Sequence, residues 1–142
     1  MQDRQLLEMS GSVEDIIFHN ENNGYTILEL NTGEELVTVV GTLPWASCGE
    51  ELHVYGGWIN HPSFGQQFKA EAIERFQPTT SSAILKYLSS GVVKGIGPAT
   101  ALKIVNAFGE HALEILENEP ERLCSIKGVT KEKAKKMSEE FH

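Results

Sequence analysis

Two stretches decide the fold, Val93–Ile104 (VKGIGPATALKI) and Ile126–Met137 (IKGVTKEKAKKM), which align at a constant offset of 33 residues. Both read apolar, Lys, Gly, apolar, four variable positions, Ala, two variable positions, apolar. An internal repeat of this kind outranks any single motif within it. Each copy predicts a helix, a tight glycine turn and a second helix whose alanine permits close packing. Two such units can bury their apolar faces against each other. The copies differ at one informative place, where Gly97 corresponds to Thr130. Threonine tolerates positive φ poorly, so the second turn is expected to differ in backbone or to be held by its hydroxyl cap.

Around the repeat the signals are helical. Thr80 or Ser81 can cap a helix to about Ser89, with Ile84, Leu85 and Leu88 on one face. Pro98 suits a first helical position, and Gly109 a stop. Short helices are expected over His111–Glu117 and Pro120–Ser125, and a last one over Lys131–Phe141, capped by Thr130.

Before Pro78 the period is that of strands. Runs at Ser12–His19, Tyr25–Leu30, Glu35–Gly41, Glu51–Ile59 and Gln67–Phe76 are short and β-branched, with Asn23-Gly24 as a hairpin signal. Gly56-Gly57 predicts a bulge or sharp bend. Five such strands fit a small antiparallel barrel of the OB type, with a five-stranded sandwich as the alternative. The expected fold is α+β in two parts: a flexible start over 1–10, a barrel over 11–78, and an all-α tandem over 79–142 with hairpins at 94–97 and 127–130.

Charge divides along the same line. The net charge is −8 overall, −9 over residues 1–80 and +1 over residues 81–142. Asymmetry between halves points to divided labour. No apolar run is long enough to span a bilayer, and the start MQDRQLLEMSGS does not read as a signal peptide. Cys48 and Cys124 are expected as free thiols of a cytoplasmic protein.

A glycine turn ahead of a helix can hold phosphate, either of a nucleotide or of a polymer. The nucleotide reading fails: no Gly-x4-Gly-Lys-[Ser/Thr] string exists, and a helix, not a strand, is expected before Gly95 and Gly97. The polymer reading fits a tandem of helix–hairpin–helix units, which grip backbone phosphates without reading bases. Its candidate residues are Lys94, Gly95, Ile96, Gly97, Thr100 and Lys103 in the first copy. In the second they are Lys127, Gly128, Val129, Thr130, Lys131 and Lys133. Ile96 and Val129 are expected to point inward as anchors of the turns. Tyr25, Trp58, Phe64 and Phe68 could stack on bases. Strand aromatics are more often core, which leaves Tyr25 and Phe64, near turns, as the stacking candidates. His61 reads as a structural hydrogen-bonder. Cys48 with His53 has no zinc spacing, and no catalytic set can be picked out.

The string WINHPSFGQQF (58–68), followed by FKAEAIERFQPTT and YLSSGVVKGIGPATALKIV, resembles the amino-terminal region of bacterial RecD-like DNA helicases of the stand-alone class, outside RecBCD. The resemblance spans about residues 11–142. It implies a parent motor that uses ATP and Mg2+ to move 5′ to 3′ on single-stranded DNA in repair and recombination, and a bacterial cytoplasmic location. This chain would be its non-catalytic DNA-binding region, holding no cofactor itself. DNA, single-stranded or forked, is the implied partner. Two alternatives stand: a RuvA-like junction-binding subunit, and an interaction module whose acidic barrel docks a repair protein or the motor.

Overall fold

The computed structural model describes residues 6–141, and within them two compact units divide between Gln77 and Pro78. The first contains five strands: β1 (Leu7–His19), β2 (Tyr25–Asn31), β3 (Leu36–Thr42), β4 (Glu51–His61) and β5 (Gly65–Phe76). They close into a barrel in the order β1-β2-β3-β5-β4. The barrel is mixed and not wholly antiparallel as expected, because β3 and β5 pair in parallel through Val39–Phe68 and Val40–Lys69. Closure removes the exposed sheet edges that a sandwich would leave.

The start of the chain also differs from expectation. Residues 1–5 of the expected flexible segment lie outside the described residues, whereas residues 7–10 open β1. There Leu7 to Ser12 pair with β4, and Ser12 to His19 pair with β2. One long strand therefore serves both neighbours, and two bulges let it bend between them, with Glu14 and Ile17 as the extra residues. The bulge expected at Gly56-Gly57 lies instead on the opposite strand. Tyr55 faces Ala72 and Gly56 faces Ala70, so Glu71 is the additional residue. Glycine is needed at 56 for another reason, since a Cβ there would sit 1.9 Å from the Lys69 carbonyl oxygen.

Alternation places Val13, Leu28, Leu30, Val39, Leu52, Val54 and Phe68 inside, each at most 1% exposed. Trp58 does not join them as a core residue. It crosses the Phe68 ring edge-on at 5.4 Å while remaining 42% exposed. On the outside, Tyr55 Oη donates a 2.6 Å hydrogen bond to Glu74 Oε1. That bond, then burial and the charges of Glu74 and Glu8, hold the phenol above its usual pKa.

The second unit contains α1 (Ser81–Ser89), α2 (Pro98–Phe108), α3 (Ala112–Asn118) and α4 (Lys131–Phe141). Two 3-10 segments complete it: Gly109–His111, where Gly109 was expected as a stop, and Pro120–Ser125, which fills the bounds of an expected short helix. Thr80 Oγ1 accepts from the Ala83 amide to cap α1, and Gly109 at φ 56 ends α2. The core is Ile84, Leu88, Ile104, Leu116 and Leu123, all fully buried, and it receives side chains from both repeats. At about 25 cal/mol per Å2 this burial, more than helix propensity, holds such short helices.

Candidate nucleic-acid interface

The two glycine turns have the same backbone. Ile96 N–H donates to the Val93 carbonyl, and Val129 N–H to the Ile126 carbonyl, both at 3.1 Å. Gly95 at φ 95 and Gly128 at φ 91 occupy the third position of each turn. Lys94 and Lys127 do not have positive φ, so both are type II turns, which favour glycine at that position. The helix starts match as well: Ala101 N–H reaches the Gly97 carbonyl and Ala134 N–H the Thr130 carbonyl, both at 2.9 Å. Ala101 and Ala134 are buried at 0% and 1%, as the repeat requires of its close-packing position.

Of the two alternatives expected for the second turn, a different backbone or a hydroxyl cap, the structure shows the cap and not a different backbone. Gly97 has φ −98 and ψ −177, an extended conformation open to any residue. Threonine therefore fits at 130 without strain. Its Oγ1 accepts from the Lys133 amide at 3.2 Å, which caps α4. Gly97 makes no side-chain cap, so the first turn of α2 keeps its amides open. Pro98 has no amide N–H, so each copy leaves two first-turn amides open, and the copies differ in the hydroxyl cap and not in the turn.

The hairpins border one cleft of about 510 Å3. Eight of the residues named from sequence line it: Lys94, Gly95, Thr100, Lys103, Lys127, Gly128, Val129 and Lys133. Gly97, Thr130 and Lys131 are exposed but are not among its lining residues. Ile96 is 2% exposed and Val129 half-buried, and both spend their amides inside the turn. They act as anchors. Lys136 also lines the cleft, with Met137 and Glu140. Helical spacing from Lys133 to Lys136 and Glu140 puts all three on one face of α4, a signal that the lysine-rich run obscured.

Five lysines and one glutamate thus meet two dipole-bearing helix starts. Lys133 Nζ donates to the Gly128 carbonyl at 3.3 Å, which draws it across its own turn. The cleft concentrates positive potential in a chain whose net charge is −8.

The stacking candidates lie in the barrel. Tyr25 is 40% exposed and Phe64 74%. Phe64 sits on a turn that His61 organises, its Nδ1 accepting from the Ser63 and Phe64 amides at 3.0 and 3.2 Å. Sequence reasoning passed over Trp45, which is 70% exposed at φ 56. Its signal was its place in a loop after Pro44, outside any strand.

Residues 6–78 match the family model for the OB-fold domain of the ATP-dependent DNA helicase YrrC, and residues 85–142 match the SAM-like helix–hairpin–helix tandem. Among characterised proteins, the ATP-dependent RecD2 DNA helicase of Deinococcus radiodurans is similar, at 24% identity over 136 residues. That alignment takes in 91% of this chain but only 19% of the relative. The chain belongs to the YrrC helicase OB-fold family, with a helix–hairpin–helix tandem after the barrel.

Proposed function

We propose that this chain is the amino-terminal DNA-binding region of a RecD-like, ATP-dependent DNA helicase, and that it grips backbone phosphates without sequence preference. The observation that carries this reading is the pair of matching Lys-Gly turns bordering one lysine-lined cleft. Phosphate oxygens would meet the open amides at the start of α2, with Lys94, Lys103, Lys127, Lys133 and Lys136 neutralising charge. Among the described residues, the cleft is lined by no Arg, Asn or Gln, the side chains whose planar forks most often read base edges. ATP and Mg2+ would act in motor domains of the parent protein, in a bacterial cytoplasm, while these two units position DNA for repair or recombination.

Binding of labelled single-stranded, duplex and forked DNA at several salt concentrations tests this. With two to four phosphates neutralised, log affinity falls against log salt with a slope of about −2 to −4. Absence of binding at low salt would refute the reading. A second reading concerns the barrel alone: its net charge of −9 would repel phosphates, which favours contact with protein.

A further inference from the structure

Among the described residues, eleven of the twelve exposed large hydrophobic side chains belong to the barrel unit. Several of them gather where the β1–β2 hairpin meets the loop after β3. Phe18 and Tyr25 place their rings 6.4 Å apart, and His19 and Trp45 place theirs 5.8 Å apart. The loop is fixed in position. Arg75 donates to the Pro44 carbonyl at 2.6 Å and the Trp45 carbonyl at 2.9 Å. The same guanidinium forms a forked pair with Glu50 at 2.8 and 3.0 Å, and Glu50 also accepts from the Ser47 amide. Trp45 is held at positive φ, where it is the only non-glycine among the described residues, with its ring in solvent. Such a conformation persists only where its surroundings impose it.

Beside these rings lies an unusual charge pair. Strand alternation puts Tyr25, Ile27 and Glu29 on the outer face of β2, successive side chains about 7 Å apart. Phe18 stands opposite Ile27, and Asp15 stands opposite Glu29. Two carboxylates facing each other across strands destabilise a sheet. Neither makes a hydrogen bond or ion pair among the described residues. The nearest cation on this face by register is Lys69, beyond Val40. Aromatic faces and unneutralised carboxylates side by side suit one chemistry, an apolar segment carrying arginine or lysine. A nucleic-acid strand would bring phosphates against the carboxylates.

We propose that this face docks a cationic segment of a partner protein, its arginine or lysine groups lying against Trp45 and Tyr25 and reaching Asp15 and Glu29. The proposal rests on the reading of the barrel as a protein-facing surface and is independent of DNA binding at the hairpins. Arg75 is a positioning residue, holding the loop that presents Trp45.

The test uses the full chain with W58F, which leaves Trp45 as its one tryptophan. The probes are a short peptide of alternating arginine and leucine, its glutamate-for-arginine counterpart, and oligothymidine. The expected result is a saturable change in Trp45 emission with the cationic peptide alone. D15N/E29Q should weaken it by about tenfold. That variant should melt no lower than its parent, because it relieves a repulsion, so a loss of binding will not reflect unfolding. K94A/K127A should leave the response intact while weakening DNA binding, which separates this proposal from the hairpin reading. No saturable response to the cationic peptide, an equal response to the acidic one, or indifference to D15N/E29Q would overturn it. A response to oligothymidine alone would overturn it in favour of base stacking.

Discussion

Gly97 and Thr130 occupy the same place in two copies of one turn, and their difference is chemical, not conformational. An extended φ at 97 leaves room for a side chain, and a Cβ there meets nothing within 4 Å. G97A should therefore change stability by less than about 1 kcal/mol, since a smaller unfolded-chain entropy is offset by the poorer fit of alanine at an N-cap. It should nonetheless weaken DNA binding severalfold if phosphate approaches the open amides of α2; thermal melts and anisotropy titrations on the same sample would show both. G95A should behave differently. Its φ of 95 opposes any L side chain, so a loss of about 1 kcal/mol or more is expected before DNA is added. Glu140, facing the lysines of the cleft, predicts the opposite sign: E140Q should tighten binding, because it removes a repulsion of phosphate.

At the scale of elements, most of the helical unit was legible because its signals are local. Thr80, Pro98, Gly109 and Thr130 each act through their own backbone or that of a near neighbour, so a cap, a start or a stop can be read from one residue. Burial of Ile104 and Met137 followed from the offset of 33 residues. Replacing Ile104 by alanine should cost about 2–5 kcal/mol, seen as a lower melting temperature of the helical unit. What remained illegible was set by distant partners. The parallel β3–β5 pairing depends on closure of the barrel, and the Glu71 bulge on its register with Gly56. Trp45 owes its place to Arg75, 30 residues later in sequence. Lys136 was hidden among neighbours of like charge until the helix phase of α4 was known.

For the whole molecule, charge divides along the same line as two units that have separate cores. The net −9 of the first 80 residues and the lysine cleft of the second unit would oppose each other on one polyanion. On the function proposed above, DNA lies at the hairpins and protein at the barrel, and the two turns act as a joint grip. The most direct test is the salt dependence of DNA affinity for the unaltered chain, K94A, K127A and the double variant. Each single substitution should reduce the slope of log affinity against log salt by about 1, and the double by about 2, on any sequence tried. Unchanged slope and affinity in the double variant would contradict the account.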